Sequence, residues 1–490
     1  MTFNMIFDEI LRKVGIFSVE HSGYPAAPFN PDQPYPEFAA MDYSEIDPLS
    51  KNSVYAAVRG LFYSLGLDKD NFGGSDWNPL GNFVEPGNTV VIKPNLVIDR
   101  HPLGNPGIEA MVTHGSVIRP IVDYVLLAAK GNCEIKICDV PLQSAVWENL
   151  IQVSGLSELV DFYKNKNVKI DLLDLRYEIS IANSEGVYCK RIKRKRDPLG
   201  YCPVDLGEKS YIEDVIFDSR KLEITDYGLG TVSEHHNEEK NEYLIPNSIL
   251  KSDFFINVPK LKSHRKAGVT LSMKNLIGIN GDKSWIAHHR KGVDEYPEFK
   301  LWPYCKWYAA HYLKVYAPKF LVTLAYKLHR WIFLGGKSLK QHGMTHGAVL
   351  MEGNWHGNDT VWRTILDLNN IIFFTDKKGI LHSSQQRKYL TIIDGIVGME
   401  KEGPMEGLPK DSKVLLGGFH PVAVDAVAAH IMGFDWKKIH KIREGFDEKH
   451  FLLTPFKFED LVVQGNIAWK KINLKFAPTK GWMGHIERNN

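Results

Sequence analysis

The sequence predicts an α/β protein with a mostly parallel sheet and flanking helices in two lobes. The run NTVVIKPNLV (88–97) is short, apolar and β-rich, and CEIKICDVPLQ (133–143) is a second run of this kind. Between them, SVIRPIVDYVLLAAK (116–130) has helical periodicity. A strand, a helix and a strand with short connections form a βαβ unit, whose two strands are parallel.

The helix at 116–130 and six further segments complete this prediction. Ser116 is the expected cap of the helix, and Pro120 is tolerable only in its first turn. Three other segments are predicted strands and one is a strand leading into a Gly-rich turn: 250–262, 346–351, 369–376 and 389–400. Helices are predicted at 359–369, with Asp359 near the cap, and at 420–433, closed by Gly433.

Four regions follow from this order of elements. Residues 1–84 form an N-terminal arm with helices, and their Pro-rich stretch (23–36) is expected to be extended and outside the core. The first lobe covers 85–300, with a polar hairpin excursion at about 184–245. An inserted amphipathic helical segment covers 301–345, and the second lobe with a C-terminal extension covers 346–490.

Composition excludes several classes of protein. Among 490 residues, Lys plus Arg number 60 and Asp plus Glu 58, and this near-balance argues against a general nucleic-acid coat. The five cysteines contain no C-x-x-C pair, so no iron–sulfur cluster is expected. The N-terminus is amphipathic and carries acidic residues, unlike a secretory signal, and no uncharged apolar run reaches the ~18–20 residues of a membrane span. These observations predict a cytoplasmic protein.

Two basic segments allow different interpretations. Residues 301–336 are crowded with Trp, Tyr and Phe, and their only charges are Lys and Arg. This composition is typical of a helix lying at a membrane surface, here the inner face, and equally of a helical lid or a dimer contact. The run KRIKRKR (190–196) has no neighbouring glycines or buried strand, which favours a solvated hairpin.

Polar side chains follow the predicted strands where each apolar run stops. Lys93 and Asn95 follow the first strand, Asp139 ends the second, and Asp394 ends the apolar part of 389–400. In open α/β sheets, ligands bind outside the carboxyl ends of the strands. The sequence therefore predicts a single crevice lined by these residues.

The segment NVPKLKSHRKAGVTLSMKNLIG (257–278) carries most of the positive charge of this crevice. Lys260, Lys262 and His264 alternate, so they would point to one side of an extended chain. Glycines 268 and 278 flank Lys274 and would let backbone N–H groups approach a ligand. A phosphate or a carboxylate fits such a site. The alternative is a solvated basic edge, weakened because the segment follows the buried-looking DFFI.

The candidate residues divide by chemistry. The expected acid or base groups are His264, Asp139, Asp394 and Glu400, and Asp139 and Asp394 could instead hold Mg²⁺ or another divalent metal. The expected substrate-binding groups are Lys93, Asn95, Asn257, Lys260, Lys262, Lys274 and Asn275. Secondary candidates lie in tight polar turns: His114, His356 and Asp359.

These motifs together resemble the domain of unknown function 362 family. The resemblance rests on VVIKPNLV, Thr-His-Gly-Ser-Val-Ile-Arg-Pro, CDVPLQ, NVPKLKSH…GVTLSMKNLIG, GNWHGNDTVWRTILDLN, IIDGIVGMEKEGP and PVAVDAVAAHIMGFD, over roughly residues 85–445. Many members carry a ferredoxin-like segment whose cysteines this chain does not match. A more distant similarity is to the lactate racemase family, whose nickel cofactor would imply redox or nickel chemistry near 113–120 and 264–274, but the usual histidine set is not clearly present.

The favoured function is an enzyme that acts on a phosphorylated or carboxylated substrate, which could be linked to a sugar or a lipid. The alternatives are a non-catalytic protein that binds a ligand or a partner, and a redox or nickel-cofactor enzyme. Replacing Lys274 or Asp394 by Ala is expected to abolish turnover with little change in melting temperature. The substrate, the reaction type and the oligomeric state are left open.

Overall fold

A computed structural model describes residues 9–20, 23–41, 45–182, 188–224, 231–294, 317–318, 320–324, 327, 352–447, 451 and 453–488. The protein is α/β, with a ten-stranded, mostly parallel central sheet flanked by helices, and this confirms the predicted fold class. The strands are β1 (Lys13–Ser18), β2 (Thr89–Pro94), β3 (Glu134–Asp139), β4 (Ile170–Asp174), β5 (Glu178–Ala182), β6 (Tyr188–Lys193), β7 (Tyr201–Asp205), β8 (Leu222–Glu223), β9 (His236–Asn237), β10 (Lys240–Pro246), β11 (Phe254–Val258), β12 (Lys260–His264), β13 (Gly268–Val269), β14 (His289–Arg290), β15 (Lys388–Glu400), β16 (Leu408–Gly418) and β17 (Val462–Gly465).

The α-helices occur in the predicted N-terminal arm and in both predicted lobes, and short 3₁₀ turns lie between some of them. They are α1 (Ser53–Ser64), α2 (Asn105–Met111), α3 (Gly115–Ala128), α4 (Trp147–Val153), α5 (Leu156–Asn165), α6 (Asn247–Leu250), α7 (Leu271–Asn275), α8 (Val361–Phe374), α9 (Pro421–Met432) and α10 (His440–Arg443). As predicted, α9 ends at Gly433, which has φ of 96°. This left-handed conformation suits glycine because it lacks a Cβ atom.

The order of strands in the central sheet is β17-β1-β16-β15-β11-β2-β3-β4. Strands β15, β11, β2, β3 and β4 run parallel to one another, as the βαβ pattern predicts. Strand β16 is antiparallel to both β15 and β1. The parallel half therefore has its carboxyl ends at one edge, where the predicted polar residues lie.

The long strand β15 pairs with two consecutive strands at this edge. Its first residues pair with β11, and Asp394 lies opposite Lys260, the first residue of β12. Pro259 joins β11 to β12, and its carbonyl oxygen accepts the Asp394 N–H at 2.8 Å. Asn257 lies opposite Lys93 of β2. The register thus brings polar residues from three strands side by side.

Four local predictions are wrong or lie outside the described residues. Residues 369–376, a predicted strand, belong to α8 through Phe374. Their apolar run is buried on all sides, and a helix buried all round lacks the periodicity that distinguishes it from a strand. Pro120 lies inside α3 beyond its first turn, and His114, not Ser116, caps this helix by accepting the Ser116 N–H. The predicted strand at 346–351 is outside the described residues.

The N-terminal arm contributes to the core, contrary to the sequence prediction. Strand β1 lies in the central sheet between β16 and β17. Within the Pro-rich stretch, Phe29 and Tyr35 are buried. Proline fixes an extended backbone but leaves neighbouring aromatic side chains free to pack, so a Pro-rich run can still cover a core.

The other regional predictions have different outcomes. Strands of both predicted lobes share the central sheet, and the division into domains stays a prediction. Residues 190–196 lie at and beyond the β5–β6 hairpin and are mostly exposed, which confirms the solvated hairpin. Most of 301–336 is outside the described residues. In the described part of the chain, no helix combines the length and apolar character that crossing a membrane requires.

Candidate functional site

The first element of the site is a buried ion pair between two neighbouring strands. Lys93 at the end of β2 contacts Asp139 at the end of β3, with 2.7 Å between Nζ and Oδ1. Both side chains are almost completely buried. Asp139 also accepts the backbone N–H groups of Leu96 and Val140, each at 2.8 Å. These contacts fix the position of the carboxylate, and the Lys93 ammonium group neutralises its charge.

A second buried pair lies at the β12–β15 contact. Lys260 donates to Asp394 at 2.8 Å and to the Tyr24 hydroxyl at 2.6 Å. Tyr24 donates to the other Asp394 oxygen at 2.7 Å, and the His114 N–H donates to Asp394 at 3.1 Å. Burial outweighs the attraction of Asp394 and lowers the pKa of Lys260. Burial, together with Asp394, raises the pKa of Tyr24 well above its ordinary value.

The predicted divalent metal does not fit this donor set. Asp139 and Asp394 each already contact a buried ammonium group, which a dication would have to displace. Within the described ranges, no group of three or more His, Cys, Asp or Glu side chains is arranged to hold a metal ion. A metal ion at these two carboxylates stays a prediction without support from their contacts.

The short helix α7 is clamped at both ends. At its start, Asp425 accepts the N–H groups of Ser272 and Met273, at 2.7 and 3.1 Å, and pairs with buried Lys441 at 2.7 Å. The carboxylate satisfies N–H groups that a helix start leaves unpaired. This contact fixes the segment that carries Lys274.

The end of α7 is held by an amide network. Asn275 donates to Asn257 at 2.7 Å and accepts hydrogen bonds from Asn95 at 2.8 Å and from Lys93 at 3.3 Å. Asn257 in turn donates to the Ser272 carbonyl oxygen. The three predicted asparagines are therefore brought together, but they bind one another and the start of α7. Their direct role is to position the backbone around Lys274.

Three lysines beside these pairs have no carboxylate within 4 Å in the described part of the chain. Lys262 is fully buried and donates to the Met111 carbonyl oxygen at 2.8 Å, and Lys283 donates to that of Ile277 at 2.8 Å. Lys274 is half-buried. Burial and the positive charges around them lower the pKa of Lys262 well below its ordinary value, and lower those of Lys274 and Lys283 to about 7.

Two histidines complete this group. Burial, and then the charge of Lys274, lower the pKa values of His264 and His288 well below the ordinary range, so both imidazoles are neutral. Nδ1 of His264 accepts the Lys266 N–H at 3.1 Å. The proton of this neutral ring is therefore on Nε2, which makes no hydrogen bond in the described structure. We call Lys262, His264, Lys274, Lys283 and His288 the cationic cluster.

The remaining predicted residues lie apart from this cluster or serve other contacts. Glu400 pairs with Lys410 at 3.2 Å and accepts the Ala477 N–H at 3.0 Å. His356 stacks on His485, with 3.5 Å between ring centroids. Asp359 pairs with Arg290 and Arg363 at the start of α8. His114 stacks on Tyr24 at 4.1 Å, and burial lowers its pKa to about 3. The functional roles of these residues stay predictions.

Sequence reasoning missed Tyr24, Lys283 and His288. Tyr24 lies in the Pro-rich stretch, which gave no indication that the arm crosses the sheet edge. Lys283 and His288 follow Lys274 within fifteen residues, in GDKSWIAHHR (281–290). Extending the basic segment through this run is the signal that could have found them.

Gly278 lies directly against the Lys93–Asp139 pair. A Cβ atom at this position would lie 2.6 Å from Lys93 Nζ and closer still to Asp139. Gly278→Ala is therefore expected to lower the free energy of unfolding by about 1–3 kcal/mol, since the added methyl group must displace the side chains of the buried Lys93–Asp139 pair. Gly74→Ala is the control, because its Cβ would have only one neighbour, a carbonyl oxygen at 3.3 Å. Equal urea midpoints for the two variants would contradict the close approach.

The fold and the site define an α/β protein with a buried, lysine-rich site at the carboxyl edge of a mostly parallel sheet. A sequence model of the family described as "Domain of unknown function (DUF362)" matches residues 90–200 and 215–430, about two thirds of the chain. The chain belongs to this family, which confirms the main resemblance. No curated protein and no solved structure matches the chain. The more distant similarity to the lactate racemase family stays a prediction.

Proposed function

We propose that the protein is an enzyme that acts on a small substrate bearing a carboxylate or phosphate group, held by the cationic cluster. One observation supports this most directly. Lys93, Lys260 and Lys441 each have a carboxylate partner, whereas Lys262, Lys274 and Lys283 have none among the described residues. Three amines that have no carboxylate within 4 Å among the described residues thus lie beside the carboxyl edge of the sheet, where ligands of α/β proteins bind.

An anionic ligand would remove the energetic penalty of this arrangement. Burying a cation without a counter-charge is unfavourable, and the depressed pKa values express that penalty. A carboxylate or phosphate oxygen would accept charge-assisted hydrogen bonds from the lysines. Nε2–H of His264 supplies a neutral donor to the same group. The cluster thus offers a bound anion both charge and directional hydrogen bonds.

The same groups support proton transfer. A general acid or base works best when its pKa is near the working pH, and that of Lys274 is about 7. The ion pairs Lys93–Asp139 and Lys260–Asp394 and the clamp on α7 hold the surroundings in a fixed geometry. Such pre-organisation is what catalysis requires.

The test has two stages. The free protein is titrated with inorganic phosphate and with pyruvate, and each is expected to raise the melting temperature in a saturable way, while glycerol and added sodium chloride at matched ionic strength do not. A panel of carboxylates and phosphate esters is then incubated with the protein and analysed by NMR for product or for exchange of substrate protons with D₂O. Stabilisation by no anion at all would refute the anion site. Stabilisation without any chemical change across the panel would favour the non-catalytic binding protein.

Anion binding is expected to be coupled to proton uptake. The pKa of Lys274 falls from 10.5 to about 7 in the free protein, so most of its amine is unprotonated at pH 8. A bound anion favours the ammonium form and raises this pKa, so that the protein takes up about one proton from solvent for Lys274 alone.

Calorimetric titration with pyruvate at pH 8, in buffers of different ionisation enthalpy, measures this number. The Lys274→Met variant is expected to take up about one proton fewer. Proton release, or an uptake identical in both proteins, would contradict the assignment of the proton to Lys274.

A further inference from the structure

Among the described residues, Lys274 differs from the lysines around it in having no hydrogen-bond or ion-pair partner. Its Nζ makes no hydrogen bond and no ion pair in the part of the chain that the structure describes. The other lysines of this region all have one: Lys93 with Asp139, Lys260 with Asp394, Lys262 with the Met111 carbonyl, Lys266 with the Glu352 carbonyl, Lys283 with the Ile277 carbonyl and Lys441 with Asp425. Among these lysines, Lys274 is thus the one whose amine is held by no contact within the described residues.

The backbone of Lys274 is held firmly although its amine is not. Asp425 fixes the start of α7, Asn275 joins its end to Asn257, and Asn369 donates to the Met273 carbonyl oxygen at 3.1 Å. Leu271, the first residue of the helix, has φ of 49°, an uncommon conformation for a residue with a side chain. A firmly placed, half-buried and unpartnered amine is the arrangement expected of a nucleophile.

The surroundings also keep a large share of this amine unprotonated. Burial, followed by the charges of Lys441, Lys266 and Lys93, lowers the pKa of Lys274 to about 7. An ordinary lysine, with a pKa near 10.4, holds far below one per cent of its amine unprotonated at pH 7. Only the unprotonated amine attacks a carbonyl carbon.

We propose that Lys274 forms an imine with a carbonyl compound that also carries a carboxylate or phosphate group. This rests on the proposed function, since the anionic group would be held by Lys262, Lys283 and Nε2–H of His264. The substrate class is therefore the 2-oxo acids or the phosphorylated aldehydes and ketones. Both share an electrophilic carbonyl carbon and an oxyanion.

The step balances without an oxidant, a reductant or a further co-reactant. Nζ of Lys274 attacks the carbonyl carbon, a new N–C bond forms, and the π electrons of the C=O bond move to oxygen. A proton passes from nitrogen to this oxygen to give a carbinolamine. The hydroxyl group then leaves as water after taking a proton from solvent, and the nitrogen lone pair forms the C=N bond. The product is a protonated imine, which draws electrons from the neighbouring carbon.

Reductive trapping tests the imine directly. The full chain is incubated at pH 7 with sodium cyanoborohydride and one carbonyl compound in each reaction. The compounds are pyruvate, glyoxylate, glyceraldehyde 3-phosphate and dihydroxyacetone phosphate, and peptide mass spectrometry locates the adduct. One adduct at Lys274 is expected from the carboxylates, the phosphates or both, which identifies the source of the anionic group. Labelling at Lys274 is expected to exceed that at the exposed Lys190 on the order of 1,000-fold, which is the ratio of unprotonated amine at pH 7 between a pKa of about 7 and that of an ordinary lysine.

Matched variants keep this test decisive. Lys274→Arg, which retains the positive charge, is expected to lose the adduct, whereas Lys190→Arg is expected to keep it. Thermal unfolding followed by circular dichroism shows whether each variant is folded, and Lys274→Met replaces Lys274→Arg if the latter is not. Inorganic phosphate is expected to compete with labelling at Lys274 in the native protein.

The contrary outcomes separate this proposal from the proposed function. If phosphate or pyruvate stabilises the protein but none of the four carbonyl compounds labels Lys274, the imine is refuted and the anion site stands. If no anion stabilises the protein, the anion site is refuted whatever the labelling shows. If acetone labels Lys274 as efficiently as pyruvate does, the anionic substrate class is refuted.

Discussion

Replacing Asp394 by alanine is expected to lower the free energy of unfolding by about 3–5 kcal/mol. This carboxylate is completely buried and accepts hydrogen bonds from Lys260, Tyr24 and the His114 N–H. Its removal leaves the Lys260 ammonium buried without a counter-charge. Chemical denaturation followed by tryptophan fluorescence at pH 7.5 measures the change. The sequence alone suggested that this variant would have nearly the melting temperature of the native protein. The buried contacts of Asp394 lead to the opposite expectation.

Two variants control the Asp394 prediction. Asp411→Ala removes an exposed carboxylate that lies 3.6 Å from Lys413, and it is expected to change stability by less than about 1 kcal/mol. Asp394→Leu combined with Lys260→Met removes both charges and is expected to recover much of the loss. A loss of under about 1 kcal/mol in Asp394→Ala itself would show that the pair contributes little.

The double variant Lys262→Met/Lys274→Met is expected to lower the affinity for phosphate or pyruvate by about 100-fold or more. Each lysine would donate a charge-assisted hydrogen bond to the anion, with a contribution of about 1.5–3 kcal/mol, and about 1.4 kcal/mol corresponds to a tenfold change in Kd. Methionine keeps the length and the apolar stem of each side chain. Isothermal titration calorimetry at pH 7 gives both affinities.

The same double variant is expected to melt at a higher temperature than the native protein. Removing the buried amine of Lys262 and the half-buried amine of Lys274, which repel each other, relieves an unfavourable interaction of the unliganded state. Lys190→Met/Lys193→Met, on the exposed β5–β6 hairpin, makes the same two substitutions and should alter neither property. Equal affinity in the two double variants would exclude the cationic cluster as the anion site.

The fold was predictable where a segment had a clear period and clear ends. The βαβ unit of β2, α3 and β3 is such a case, and α9 with its terminal Gly433 is another. The run at 369–376 failed because a short apolar segment without periodicity fits a buried helix and a strand equally well. The strand β1 was missed because its partners are far away in the chain.

The site was predictable only as a set of residue types at strand ends. Lys93, Asp139, Lys260 and Asp394 were expected in one crevice, and the sheet does place them at its carboxyl edge. The sequence could not tell that Lys93 neutralises Asp139 and Lys260 neutralises Asp394, because pairing depends on register and side-chain direction. With both carboxylates paired, the site is characterised by lysines that lack a carboxylate partner among the described residues, and not by the metal-binding carboxylates that the sequence suggested.

The position of β1 has a consequence for how the chain folds. Residues 13–18 complete the central sheet only by pairing with residues 414–418 and 462–465, and Tyr24 reaches Asp394 from the same arm. During synthesis, β1 cannot pair until its partner strands, some four hundred residues later in the chain, have been made. Contacts so distant in sequence slow folding, so the sheet and the site beside it are expected to form late, after the C-terminal strands have been synthesised.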